Sequence, residues 1–327
     1  MKKLFVFLAV ILMAVSTFAQ GSVKVAAKFS KGDYVIYECQ SAIVQPSPTA
    51  GKDTICFAGE IKYEVTDARK DGYTLTVNTL KWDNTNPIEN DLTRKISTMQ
   101  QQMFVGKPLT LTTDKDGKVI RINHFEEYKK EIDLFVDGMI NTLFGSMDEG
   151  AMGVLSKDGI RDAIMDELTE EKMIETLSNN TGNHLSLYGK TLTTGTIIDE
   201  TIGNFGFKTT YVVPSTKSKD SYSLKSSSTL NMDKDEIKKM ILKQLEKMMP
   251  EQIDAVKDNI DTVLESGMLK IEGTRECSFE FFKNGWLKSG ETVSNINSMG
   301  SETTTTSKWQ IKESHINPTS RVGNFFV

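Results

Sequence analysis

The sequence predicts an α+β fold: a curved antiparallel sheet, half-barrel-like, built of hairpin meanders with amphipathic helices packed on one face. Three observations predict it. Leu269, Ile271, Cys277, Phe279 and Phe281 stand on odd positions, with Lys270, Glu272, Thr274, Glu276, Ser278 and Glu280 between them, the period of two of a strand with one dry face. Asp71-Gly72, Asp116-Gly117 and Asn284-Gly285 each stand between a pair of such runs, and each supplies a residue that accepts the positive φ of a tight turn. Phe125, Tyr128, Ile132, Phe135, Val136, Met139, Ile140, Leu143 and Phe144 step by three and four into one apolar stripe, opposite Glu126, Glu127, Lys129, Lys130 and Asp133. A helix of that kind needs an apolar surface to lie on.

The chain opens with Lys2 and Lys3, then an apolar run over residues 4–15, then small and polar residues ending at Ala19. This is the pattern of a secretory signal peptide over residues 1–19, cut after Ala19 with Thr17 and Ala19 at the two small positions. The run is too short for a spanning helix, and no later segment is apolar enough to be one. No cysteine follows the cut, so the expected product is exported, periplasmic or extracellular, without a lipid anchor. Residues 20–327 read as a single α+β domain with enough chain for a sizeable core. Two loosely similar halves, about 20–180 and 181–327, are suggested by element order. Gly106-Lys107-Pro108-Leu109-Thr110 and Gly189-Lys190-Thr191-Leu192-Thr193 echo each other across them.

Lys31-Gly32-Asp33 introduces a strand over residues 34–44, and Pro46, Pro48 and Gly51 make the loop to a second over 54–66. Asp71-Gly72 turns into a third over 73–82, giving an antiparallel meander. Leu92, Ile96, Met99 and Met103 stripe a helix over 88–104, which Gly106 and Pro108 stop. A hairpin over 109–122 and the striped helix follow, then a helical stretch containing Ile160, Ala163, Ile164, Leu168, Met173, Ile174 and Leu177. Residues 185–202 and 205–213 read as extended, and the Ser- and Lys-rich 215–228 as a wet loop and outer strand. Ile237, Met240, Ile241, Leu245 and Met248, then Ile253, Val256, Ile260 and Val263 after Pro250, stripe a helix pair. The final sheet covers 268–313. Its last strand holds Thr303, Thr304, Thr305 and Thr306, polar on both faces, which suits a sheet edge. The tail after Pro318 ends in Phe325, Phe326 and Val327, which could dock.

A formal charge of −5, more negative once the two leader lysines are removed, argues against nucleic acid and anionic membrane surfaces as partners. Cys39 and Cys56 fall on successive strands near facing positions, a candidate disulfide that would stabilise by about 3 kcal/mol on the chain-entropy view. The alternative is that Cys39, Cys56 and Cys277 are small buried hydrophobes. No C-x-x-C occurs, and no metal site or cofactor is expected. Gly189-Lys190-Thr191 lacks the earlier glycine of a phosphate-binding loop, where His184 stands, and a strand follows it. Asp114-Lys115-Asp116-Gly117 lacks the later ligands of a calcium loop and suits a hairpin turn. His124, His184 and His315 stand in no H-E-x-x-H, and neither G-x-S-x-G nor S-x-x-K occurs, so no catalytic residues are assigned and a non-enzyme is expected. Methionines crowd the helix stripes, including Met99, Met139, Met240 and Met248. Adaptable binding surfaces use methionine this way, and so do loosely specified cores.

The leader, the opening K-G-D-Y strand, the D-G hairpins and the helices against one face resemble exported half-barrel proteins, with the periplasmic lipoprotein-carrier fold as the best-known example. Gly273 to Leu287, G-T-R-E-C-S-F-E-F-F-K-N-G-W-L, is similar to a C-terminal strand run of exported bacterial families of unknown function. The resemblance rests on element order and transfers no functional residues. It implies a protein holding an apolar ligand, such as an acyl chain, between sheet and helices. On that reading Phe279 and Phe281, with Tyr63 and Val77, meet Phe135 and Met139 of the striped helix around a cavity. The alternative is a structural or partner-binding cell-envelope protein with a filled core, because a buried stripe and a lined cavity have the same pattern.

Overall fold

The structure, a computed structural model, describes residues 21–47, 51–85, 91–146, 156–179, 183–202, 205–214, 218, 220–232, 234–249, 253–265, 270–298 and 300–317. The leader over residues 1–19 and the tail after Pro318 therefore lie outside the described residues. The fold is α+β, with a curved antiparallel sheet of eleven strands and helices over its concave side. The N-terminal meander is β2 (Tyr34–Pro46), β3 (Lys52–Arg69), β4 (Gly72–Thr85), β5 (Leu109–Asp114) and β6 (Val119–Ile122). The C-terminal one is β8 (Ile197–Ile202), β9 (Phe205–Val212), β10 (Ser221–Asn231), β11 (Ile271–Phe282), β12 (Leu287–Ser298) and β13 (Ser301–His315). Each strand pairs with its sequence neighbour except at one seam, where β13 pairs with β2 and joins the meanders into one sheet.

Laid flat, the outermost strands of such a sheet would stand about 48 Å apart. Here both edges, β6 and β8, lie against one short helix, α4 (Glu170–Asn179). A helix is only about 10 Å across, so the sheet must curl almost onto itself, with α4 in the remaining gap. Glu170 fixes that position, because its Oε1 accepts the backbone N–H of Ile122 on edge strand β6 at 2.9 Å.

One end of this curled sheet is filled by the start of the chain. β1 (Ser22–Lys24) pairs with the short β7 (Thr191–Thr193), and residues 25–29 run on across the interior. Three glycine turns converge on them. Ala27 N–H donates to Asp116 O at 2.8 Å, Lys28 N–H to Asn284 O at 2.9 Å, and Val25 exchanges backbone hydrogen bonds with Gly189 and Lys190. Phe29 stacks on Trp286 with ring centroids 4.1 Å apart, and Tyr188 donates to Gly285 O at 2.7 Å. Val25, Val35, Tyr37, Leu75, Leu111, Leu192, Phe281 and Leu287 complete this first core. Asp33, of the opening K-G-D-Y run, is buried there. Its carboxylate accepts from Ser30 N–H at 2.9 Å and from Asn317 N–H at 2.8 Å, tying the start of β2 to the end of β13 at one end of the sheet's seam.

The helices form an arc. It runs through α1 (Asp91–Phe104), α2 (Phe125–Phe144), α3 (Lys157–Glu167), α5 (Lys234–Met248) and α6 (Ile253–Glu265), each against the next, and α4 meets it through Met173 and through Lys172, which pairs with Glu167 at 2.8 Å. α1 anchors one end beside β4, where Gln101 donates to Trp82 O at 2.9 Å. At the other end Ile237, Ile260 and Leu264 pack on Phe207, Leu230 and Ile271 of the sheet. Between the anchors the helices pack on one another. Met103, Ile132, Val136, Ile140, Phe144 and Ile160 form a core to which, among the described residues, no strand contributes a buried residue. Apart from Phe125, which is buried in the first core, the stripe of α2 is therefore buried on helices and not on the sheet. Arg161 stitches α3 to Asp133 and Asp137 of α2 at 3.1 and 2.7 Å.

Four sequence expectations change. Residues 185–202 contain a 3₁₀ turn (His184–Leu187) before β7 and β8. The stretch read as a wet loop and outer strand holds β10, an internal strand whose Leu224, Ser226, Ser228 and Leu230 are buried. β13 is not an edge but sits between β12 and β2. The candidate Cys39–Cys56 bridge does not form and all three cysteines are free. The register puts Cys39 opposite Gly59 and Cys56 opposite Ala42, so the two side chains leave opposite faces of the sheet.

The converging turns give a paired test. Gly285 (φ +94°) has no room for a Cβ, which would stand 2.4 Å from Ala26 O. Gly195 (φ +85°) has nothing within 4 Å. Gly195→Ala is expected to cost only the left-handed strain of about 1–2 kcal/mol. Gly285→Ala is expected to melt well below it, because the backbone of the plug must also move. Equal melting temperatures would show that residues 25–29 do not lie against this turn.

Candidate functional site

Inward-facing residues stack in levels across the concave face, and the register assigns each level. The first, at the top of the filled core, contains Trp82, Gly59, Cys39, Trp309, Gly290, Phe279 and Leu224. His184 closes it from the interior, its ring 5.6–5.7 Å from those of Tyr37, Tyr63 and Trp309. Burial without a charged partner holds His184 neutral down to about 3. Burial likewise pushes the Cys39 thiol up to about 12, so it is not a ready nucleophile.

Beyond this lid the floor changes character. The second level contains Asn84, Phe57, Ser41, Ser307, Thr292, Cys277, Ser226 and Tyr211. The third contains Ile55, Ile43, Thr305, Ser294, Arg275, Ser228, Thr209 and Ile198. Asp53 and Gln45, and farther round Ile296 and Phe207, stand beyond them. The central strands β3, β2, β13 and β12 lie between the two flanks on which the helical arc is anchored. Their floor residues Ser41, Ile43, Ile55, Phe57, Ser294, Ile296, Thr305 and Ser307 belong to none of the three cores. All but the buried Ser294 are half-buried, while the intervening Thr54, Cys56 and Ala58 of β3 are exposed on the convex face.

The polar groups of this floor divide in two. Toward β8 they satisfy one another. Glu200, buried, accepts from Thr209 at 3.0 Å and Tyr211 at 2.9 Å and pairs with Lys190 at 3.3 Å, and Thr209 also lies 2.8 Å from Ser228. The guanidinium of Arg275 lies 4.7 Å over the Phe207 ring, and burial pulls its pKa down. Toward β4 only some do, Ser41 bonding Thr306 O at 2.9 Å and lying 3.1 Å from Ser307 Oγ. Trp82 Nε1, Asn84 Oδ1, Asp53 Oδ2 and Ser294 Oγ are buried atoms without a hydrogen-bond partner, and the register faces all four residues inward. Each such atom costs about 1–3 kcal/mol. Trp82 lies against Phe57, with ring centroids 5.8 Å apart.

The residues expected to line a cavity do not meet. Phe279 and Phe281 are buried in the filled core, with Phe281 fully enclosed. Phe135 packs at the rim of the helical core, 6.2 Å from Phe104, and Met139 is half-buried on the same helix. His124 is exposed in a left-handed conformation, 3.9 Å from Glu127, and His315 is exposed beside Tyr34. No sequence motif singles out Trp82, Asn84 or Ser294. The signal that could have found the floor is the Thr303–Thr306 run, whose polarity on both faces reflects a concave side that is not dry.

No family model matches the sequence, and no curated protein does. Among solved structures, one described as lipid–protein interactions in lipovitellin superposes with a TM-score of 0.44 at 14% identity, covering 89% of this chain and 26% of that chain. The chain thus spans about a quarter of that structure's length. DynF from the dynemicin biosynthesis pathway of Micromonospora chersina gives a TM-score of 0.21 at 6% identity, covering 91% and 87% of the two chains. No helix among the described residues is long and apolar enough to cross a membrane.

His184 makes stability pH-dependent. In the unfolded chain it protonates near 6.5, in the fold only near 3. Its contribution is intact above about pH 6.5 and declines as the pH falls toward 3, by up to about 1.4 kcal/mol per pH unit. Melting temperatures of the parent and His184→Phe should therefore diverge on acidification, the parent falling faster. Parallel curves would show that His184 is not held neutral.

Proposed function

We propose that this chain is an exported, non-enzymatic binding protein that holds an apolar or amphiphilic ligand, such as an acyl chain, between the central strands and the helical arc. The observation that carries the proposal is the floor of β3, β2, β13 and β12. It places Ile43, Ile55, Phe57 and Ile296 between the two flanks that the helical arc bridges, and among the described residues the core of that arc is made by helices. Apolar side chains left out of every core are available to a ligand, at about 25 cal/mol per Å² of apolar surface removed from water. The ligand contacts assigned here are therefore the floor residues, in place of the Phe279/Phe281 and Phe135/Met139 pairs. Export rests on the leader at residues 1–19.

The second reading, a structural or partner-binding envelope protein, is favoured by the tight filling of the lower end, where the chain's own N-terminal segment occupies the interior.

Two measurements decide. Organic extracts of the purified protein, analysed by mass spectrometry, are expected to contain a stoichiometric lipid or acyl species, and the extracted protein to take up a fluorescent fatty acid. Ile55→Arg is expected to lower that uptake at least about tenfold with little change in melting temperature, because Ile55 is half-buried and outside the cores. An empty extract together with no uptake would leave the structural reading in possession.

A further inference from the structure

We propose that the ligand is an uncharged amphiphile, with a hydroxyl or ester head group against Trp82 and Asn84 of β4 and an acyl tail along Phe57, Ile55 and Ile43. This rests on the binding function proposed above and specifies its chemistry. Trp82 and Asn84 are two residues apart on one strand and so share a face. Trp82 Nε1 can only donate, and Asn84 Oδ1 can only accept. Both atoms are buried and without a partner, so the ligand-free chain leaves one donor and one acceptor unmet on one face of β4. A hydroxyl, which both accepts and donates, matches this pair. Phe57 stands directly opposite Asn84, and Ile55 paired with Ile43 lies on the next level, so an apolar path leads away from the polar pair toward the centre of the sheet. Ser294, only 8% exposed and also unpartnered at Oγ, stands farther along that level beyond Thr305, where an ester or second hydroxyl of a longer ligand would pass.

Charge disfavours an anionic head at this end. Asp53 Oδ2 faces the same floor without a partner and would repel a carboxylate. The cations of the floor lie toward β8. Lys190 is joined to Glu200, and Arg275 lies over Phe207. A carboxylate-headed chain would have to bind the other way round, with its head toward Arg275.

The full-length mature protein, loaded with a fluorescent acyl probe, is titrated with a long-chain monoacylglycerol and with the fatty acid of the same chain, both below their micellar concentrations and at a pH where the acid is ionised. The monoacylglycerol is expected to displace the probe at a concentration at least about tenfold lower. Trp82→Phe and Asn84→Leu are each expected to raise that concentration about three- to tenfold, as loss of one hydrogen bond does. Neither should move the fatty-acid curve or lower the melting temperature, since each removes a buried atom that has no partner. Equal or better displacement by the fatty acid overturns the inference, as does a shift of both curves together in the β4 variants. A fatty-acid preference that collapses in Arg275→Gln places the head at the opposite end and also overturns it. Absence of probe binding removes the binding function itself, whereas binding without a head-group preference removes only this inference.

Discussion

The whole architecture depends on one pairing, that of β2 with β13. Every other strand contact of the large sheet joins neighbours in sequence and could form within its own meander. Only this seam, running from Tyr34 opposite His315 to Val44 opposite Thr304, makes one eleven-stranded sheet of two smaller ones. It closes a loop of nearly the entire described chain, which is entropically the most demanding contact in the molecule. Asp33 reinforces it at the point of greatest need, by holding Asn317 just past the last strand. A fold whose central contact is its most non-local one should be slow to form, because both meanders must exist before the seam brings any stabilisation.

A sheet this wide, once curled, encloses more interior than its own side chains fill. The molecule fills that interior differently along its length. At one end the N-terminal segment runs through it, gathered by the turns at Gly117, Gly189 and Gly285. At the other end helices cover the opening, but they pack on each other and touch the sheet chiefly at its flanks. The strands between those flanks carry hydroxyls where a filled core would carry leucine and valine. That is why Ser41, Thr292, Ser294, Thr305 and Ser307 face inward on central strands.

Much of the fold was legible in the sequence because local chemistry decided it. The hairpin strand Val119–Ile122 and the helix Phe125–Phe144 follow from turn glycines and a clean 3.6-residue period. What failed was what depends on the remote partner. Thr303–Thr306 looks like an edge when polarity is taken to mean solvent on both sides, but one of its faces is turned to the concave side of the sheet. The same confusion sent β10 to the outside, since alternating serines register as wet until Ser226 and Ser228 are seen among buried hydroxyls. Cys39 and Cys56 looked paired because proximity along a hairpin is readable from sequence, whereas the odd or even parity that decides their faces depends on the loop length. The floor could not be found at all from motifs, because its residues are single positions on strands far apart in the chain.

The position of α4 carries a consequence for the protein's solubility. A wide antiparallel sheet ordinarily exposes two rows of unsatisfied backbone groups, one at each side, and each is a template for another chain to add to. In this molecule a single ten-residue helix covers both at once, and Glu170 caps a backbone donor of one of them. The protection is economical but undivided. Any event that lifts α4 away, whether proteolysis, truncation or a destabilising substitution in its short sequence, uncovers both sides together. A chain with two open sides can be extended from either, so the damaged protein would grow into linear polymers and would not stop at dimers.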